Sequence, residues 1–568
     1  MTYAAIARVR VVFGTVGYTL GVTTHRKGSP MSERKINGKK SAQAEAKGHE
    51  TSLPIPGRPG EATPAAIDNP KADIAALNNL ERHLFAHNYA SACIGSFSTT
   101  IDPVKSLGDS AEVLSILDQE NHELLCSTST GDMLQRLSKH HELLTPVQQH
   151  QVRILQRDRN KLIGIPASDQ AAFTRLTAES YDVWRRAKAA DDWASFEPYL
   201  DRIVISTRTL AEFKRPGADA YDVWLDEFEH GASTAFYDEF FAQVKDVVVP
   251  LLADVIACGR QQSRQPISGK YDAQRQWALA RDLMELEGLD KEAMLLLETE
   301  HPFTDSPSTN YGIIASHVYE DDVLSNVFSM LHEGGHALYE TNVDPMYNQT
   351  SLKGGTSSGM HEAQSRFFEN YVGRNESFAP HLLEVLRKHF PGPTGRLTAR
   401  QLFLVINRVE PSLIRTEADE LTYPLHILIR YEIERLLMSG EATASDIPRL
   451  WADRYKSYLG IRVPNNAQGA LQDVHWAQGL FGYFPTYAFG SAIGAQLCAA
   501  MVRQGIDFDG LLADGNLTPI KEWLRINIWQ HGRTKDSEQI IQDACGEPFS
   551  ATYFTDYLVD KYSAIYGL

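Results

Sequence analysis

Cysteine is scarce in this chain: five occur among 568 residues, Cys93, Cys126, Cys258, Cys498 and Cys545, widely spaced and with no CxxC pair. That pattern excludes a disulfide framework and a thiolate metal knuckle, and it predicts a reducing, cytoplasmic setting. Basic residues are outnumbered as well, 55 Lys and Arg against 72 Asp and Glu, for a formal charge of −17. Such a molecule repels nucleic acid and anionic membrane, so neither is expected as a partner. The one long charge-free run, 479–502, carries Pro485, four glycines and Gln496, which reads against a membrane span. Alternating apolar and polar runs are few, so strands should be few and short, and no fixed-period repeat is present, which excludes a helical solenoid. What remains, 43% hydrophobic and 22% charged residues, is the composition of a folded soluble protein.

The composition changes near residue 72. Residues 1–72 hold eleven Lys and Arg against five Asp and Glu, a surplus of six, leaving −23 on the rest. Residues 27–70 are rich in Lys, Gly, Ser and Ala, include Pro54, Pro56, Pro59 and Pro64, and show no periodicity. The reading is a disordered basic extension over 1–72 and one folded domain over 73–568. Arg8 and Arg10 precede a weakly apolar stretch, but Gly14, Thr15, Gly17 and Thr19 interrupt it and no cleavage site follows; Met31 is an alternative start. Beyond residue 73 the pattern is helical, with three-and-four spacing over 170–196, 221–258, 290–298 and 425–438. In the last segment Leu425, Leu428, Ile429, Ile433 and Leu436 form a core stripe, and Arg430 with Glu434 is expected on a wet edge.

The informative segment is 323–340, an amphipathic pattern enclosing His332-Glu-Gly-Gly-His336, an HExxH. Two histidines four apart stack on one helix face, so both rings can reach a single ion while Glu333 projects beside it. A zinc ion so held acidifies water and polarises a carbonyl, and the glutamate accepts the proton and returns it to the leaving amine. Chance also makes an HExxH, but Gly334 and Gly335 inside a helix cost about 1 kcal/mol each against alanine. Room for metal or substrate would explain them. A catalytic ion needs a third protein ligand. Glu340 lies eight residues, about 12 Å of rise, above His332 and is too far, and Asn342 stands where a further histidine would be wanted. The ligand should come from a second helix beginning after the loop at 354–359: Glu362 is the choice, and Glu369 the supporting carboxylate or runner-up.

These blocks together resemble the carboxypeptidase Taq-type metallocarboxypeptidases, peptidase family M32, over roughly residues 75–568. The resemblance is carried by HPF at 301–303, HEGGHALYE at 332–340, HEAQSRFFEN at 361–370, IRTEAD at 414–419 followed by ELTYPLHILIRYEIE, and GALQDVHW at 469–476 followed by FGYFPTYAFG. It implies a mostly α, two-lobed, zincin-type helical fold with a deep cleft and only a minor sheet, frequently a homodimer. It implies His332, His336 and Glu362 as ligands of one divalent metal ion, zinc or cobalt, and Glu333 as general base. Arg415 is implied to hold the free C-terminal carboxylate of a peptide substrate, a bidentate task suited to a planar guanidinium; its ordinary reading is a salt bridge to Asp419. His475, Tyr483 and Tyr487 fall where related peptidases place donors to the developing oxyanion, or else are core aromatics. His301 belongs to the HPF block, and before a proline at a turn it also reads as a structural hydrogen-bond donor. Two family blocks are missing: DxRxT is replaced by Tyr-Gly-Ile-Ile-Ala at 311–315, and a WDxxTxxP-like stretch is absent around 96–103. The expected activity is release of single C-terminal residues with broad specificity. An oligopeptide endopeptidase, or a helical binding protein with a relic site, are the rivals.

Overall fold

The structure, a computed structural model, describes residues 69–260 and 267–568. Most of the extension expected over 1–72 lies outside the described residues. From Pro70 the chain is helical, with the Asn69 side chain accepting from the Ala72 amide at the helix start.

Helices dominate, and a single three-stranded sheet of order β1-β3-β2 accompanies them among the described residues. The strands are β1 (Met294–Glu298), β2 (Phe303–Ser308) and β3 (Tyr311–Ser316). β1 runs parallel to β3, and β2 antiparallel, pairing Thr304 with Ile314. The replaced block 311–315 is thus the central strand, with Ile313, Ile314 and Ala315 fully buried.

The helical expectation for 290–298 is overturned. Asp290 turns the chain by accepting from the amides of Glu292 and Ala293, and the unbroken Leu295–Leu297 run then pairs with β3. A short apolar run has no period to separate strand from helix. The segments 170–196 and 221–258 are each two helices. Asp191 takes a left-handed conformation (φ 54°) after Ala167–Ala190, and Asp192 caps the new start by accepting from the Ser195 amide. Ala220–Phe228 likewise stops at an extended Glu229, and Ser233 caps Thr234–Ala257. Three-and-four spacing occurs on both sides of each break, so spacing read without its phase does not reveal them.

The helix Tyr423–Ser439 forms as expected, but its wet edge is not where the stripe placed it. Arg430 and Glu434 are both fully buried. Arg430 pairs with Asp473, and Glu434 accepts from Tyr221 Oη, Trp476 Nε1 and the Gly482 amide. Charged side chains can enter a core once their partners come with them.

Two apolar cores result among the described residues. The main one gathers nearly everything from Phe173 to Tyr566. A smaller one, built on Leu77, Leu80, Leu134, Leu137, Val152 and Leu155, holds the N-terminal helices together. Polar contacts join the two parts: Glu81 accepts from the Ser351 amide and bonds its hydroxyl, each at 2.7 Å, and Arg533 pairs with Asp158. Most of the charge-free run lies in the interior helix Pro485–Arg503, which is buried over most of its length. No helix of the described residues is long and apolar enough to cross a membrane.

Candidate metal centre

The HExxH lies on the helix Val323–Thr341, hereafter the motif helix. Asp322 starts it by accepting from the amides of Leu324 and Ser325, and its face from Asn326 to Glu340 is almost wholly buried. The helix Ser358–Arg366 crosses against it, started by the Ser357 hydroxyl on the Met360 amide. Gly335 permits that crossing: a Cβ there would stand 2.4 Å from the Gln364 carbonyl oxygen. A Cβ on Gly334 would meet the Glu287 carboxylate instead. The glycine pair therefore serves helix packing and a buried acid, rather than leaving room for metal or substrate. Gly490 of the interior helix does the same from the other side, where a Cβ would lie 2.6 Å from Glu362 Cβ.

These contacts converge three side chains. One ligating atom each from His332, His336 and Glu362 lies within 4.8 Å of the others, the single such grouping found among the described residues. His332 Nε2 and His336 Nε2 stand 3.8 and 3.6 Å from Glu362 Oε2. Both Nε2 atoms are buried without a hydrogen-bond partner. Buried polar atoms are normally satisfied, so two orphaned ring nitrogens facing one carboxylate make this a candidate cation site. Two imidazoles and a carboxylate suit zinc and leave a fourth position open. Burial pushes His336 well below the ordinary histidine value, assisted by His361 and His332, so the ring is held neutral as a ligand must be.

The opposite edges of both rings are tied down. His332 Nδ1 meets Glu369 Oε2 at 2.9 Å, and His336 Nδ1 meets His361 Nδ1 at 2.6 Å. Arg366 spans the two carboxylates, donating from Nε to Glu362 Oε1 at 2.8 Å and from Nη1 to Glu369 Oε2 at 2.9 Å. Glu369 sits in a seven-residue π-helical stretch, Phe367–Gly373. Burial opposes its charge, but Arg366, the His332 bond and Arg374 hold it well below the usual carboxylate range. Glu333 is buried beside this group, and Thr304 of β2 places its hydroxyl 2.8 Å from Glu333 Oε2. Burial raises the Glu333 pKa, against the pull of His332 and Thr304.

A second polar cluster adjoins the first. Arg415 is buried and donates from Nε and Nη2 to Asp473 Oδ1 at 3.0 and 2.9 Å, and from Nη1 to Tyr423 Oη at 3.2 Å. Arg430 donates from Nε to Asp473 Oδ2 at 2.7 Å. Two guanidiniums thus share one carboxylate, which they hold far below its ordinary pKa against the effect of burial. Tyr423 links the clusters, since the Arg366 guanidinium lies 4.1 Å over its ring. His475 Nε2 is 3.0 Å from Tyr487 Oη, and burial lowers the His475 pKa to about 3, so its ring is neutral at neutral pH. Burial raises the phenols of Tyr423, Tyr483 and Tyr487, and in each case the Glu362 charge adds to the rise.

The structure therefore gathers His332, Glu333, His336, Glu362 and Glu369 at one centre, with Arg415, His475, Tyr483 and Tyr487 in the adjoining cluster. Asp419 is not the partner of Arg415; its carboxylate caps the turn by accepting from the Glu410 and Thr422 amides. His301 is exposed at the head of β2. Sequence reasoning missed Thr304, Arg366, Tyr423 and Asp473, and it set Glu340 aside. Arg366 had a signal, standing four residues after Glu362 and three before Glu369, on a shared helix face. Thr304 had none, because it reaches Glu333 from a strand.

Known proteins resemble this chain over most of its length. The profile of the family described as carboxypeptidase Taq (M32) metallopeptidase matches residues 77–562. The chain is 34% identical over 490 residues to Carboxypeptidase 1 of Bacillus subtilis, covering 86% of this chain and 98% of that protein. It is 33% identical over 488 residues to Thermostable carboxypeptidase 1 of Pyrococcus furiosus, covering 85% and 96%. The crystal structure of an M32 carboxypeptidase from Deinococcus radiodurans R1 superposes with a TM-score of 0.85 at 31% identity, covering 88% of this chain and all of that one.

Proposed function

Because this chain belongs to the carboxypeptidase Taq (M32) metallopeptidase family and is a metal-dependent carboxypeptidase, we propose how its own residues carry that activity. His332, His336 and Glu362 hold one divalent ion, zinc in the first instance, with residues 73–568 as the catalytic unit. The observation that carries this assignment is the pair of buried, unpartnered Nε2 atoms facing the Glu362 carboxylate. When bound, the ion supplies a Lewis acid that acidifies water and polarises the scissile carbonyl. Glu333 takes the proton from the attacking water on Oε1, since Oε2 is engaged by Thr304, and passes it to the leaving amine.

Arg415 holds the terminal carboxylate of the peptide. Asp473 and Tyr423 take three of its five N–H groups, so one N–H on each terminal nitrogen is uncommitted. Asp473 offsets only one of the two guanidiniums it bridges. An incoming carboxylate supplies the missing negative charge, and this favours removal of one residue at a time over internal cleavage. Tyr487 and Tyr483, with the neutral His475 behind Tyr487, donate to the oxyanion as it forms. Broad specificity, a homodimer and a cytoplasmic setting complete the reading, the last supported by five cysteines that all stand free.

Metal content tests the ligand set. Purified protein should hold one divalent ion per chain after dialysis, and Glu362→Ala or His336→Ala should lose it. Full retention by both variants would refute the assignment.

A further inference from the structure

We propose that His361 and Glu340 form a two-step relay that fixes the tautomer of His336. The proposal rests on the ligand assignment above and concerns residues that make no contact with the ion. His336 Nε2 must present a lone pair towards Glu362 and His332, so its ring proton sits on Nδ1. That atom lies 2.6 Å from His361 Nδ1. One N–H···N bond holds one proton, so His361 Nδ1 accepts and its own proton is displaced to Nε2. His361 Nε2 lies 2.8 Å from Glu340 Oε1, which takes that bond. Glu340 is buried and is itself anchored, with the Gly355 amide donating to Oε1 at 3.2 Å and Lys353 Nζ 3.4 Å from Oε2.

The local sequence explains the need for an intermediary. Glu340 follows His336 by one helical turn on the same stripe, and the two residues bond through His361 of the crossing helix. His361 directly precedes Glu362, so the ligand and the relay arrive on consecutive residues. The imidazole plane is set by Tyr339, whose ring centroid is 5.2 Å away, and by Gly355, where a Cβ would come within 2.6 Å of His361 Cδ2. His332 needs no intermediary, because Glu369 reaches its Nδ1 directly. The two ligands are thus oriented unequally: one by a carboxylate, the other by a second ring that passes the hydrogen bond on to a carboxylate.

The test is zinc affinity measured by chelator competition on the full chain, with the thermal midpoint of the metal-free form as the check on folding. His361→Phe should weaken zinc binding by about 10–100-fold. His361→Asn places an amide oxygen where Nδ1 was and should recover most of that loss, which a merely structural role for the ring would not produce. Glu340→Gln should weaken binding by about threefold to tenfold in the wild-type background and have no effect in the His361→Asn background, because Asn cannot reach position 340. Zinc affinity unchanged in His361→Phe, or in Glu340→Gln should the first variant not fold, would overturn the relay. Equal losses in His361→Asn and His361→Phe would overturn it as well. Absence of zinc binding by the wild-type chain would instead refute the ligand assignment itself.

Discussion

Glu333 has one carboxylate oxygen engaged by Thr304 and the other free, and this asymmetry defines what its removal should do. Glu333→Gln keeps the shape and the Thr304 contact but cannot take a proton. It should lower kcat by about 10²–10⁴-fold with metal content unchanged, as read from steady-state kinetics and elemental analysis of the same preparation. A variant retaining more than a tenth of wild-type kcat would exclude the general-base role. Arg415→Ala removes two uncommitted N–H donors and should reduce kcat/KM on free-acid peptides by about 10²-fold, in line with a bidentate charged contact. Unchanged kcat/KM would return Arg415 to a plain structural partner of Asp473.

At the scale of the element, the centre depends on the close crossing of the motif helix and the helix Ser358–Arg366. Gly335→Ala drives a Cβ into the Gln364 carbonyl, part of a backbone that cannot yield, and should destabilise the fold by about 1–3 kcal/mol despite the higher helix propensity of alanine. Gly334→Ala meets only the end of the Glu287 side chain, so its effect should be smaller. Urea midpoints of the two variants check the order, and equal midpoints would contradict it. The same contrast shows what sequence periodicity could convey. The motif helix was legible because its apolar stripe and its histidine pair share one period, and Glu362 was drawn as a candidate from the next helical pattern downstream. β1 was misread because three leucines in a row have no period. The helix breaks at Asp191 and Glu229 escaped because three-and-four spacing is present on both sides of each, and only the phase of the stripe, which turns over across the break, marks it. Asp473 meets Arg415 from 58 residues away, and Thr304 meets Glu333 from 29, distances over which no local pattern carries information.

Across the whole molecule, the N-terminal helices are a unit with a small core of their own, bound to the main body partly through Glu81. Burial pushes the Glu81 pKa up to about 7, against its bonds to Ser351 and the charge of Arg533. An acid raised in the folded state destabilises as the unfolded chain loses its proton: below about pH 4.5 both states are protonated, between 4.5 and 7 stability falls as pH rises, and above 7 the loss is complete. Glu81→Gln keeps both Ser351 contacts without titrating. Between pH 5 and pH 8 the wild type should therefore lose about 2–3 kcal/mol more stability than this variant, as followed by denaturant unfolding at the two pH values. Parallel losses would show that Glu81 ionises normally. The reaction itself is the most direct test of the account, which assigns an ion-assisted attack at one end of the site and a carboxylate anchor at the other. One unblocked peptide and its C-terminally amidated twin are incubated with the enzyme and followed by mass spectrometry. The account predicts a ladder of single C-terminal losses from the free acid, abolished by chelator, and an intact amide; internal cuts in both peptides would contradict it.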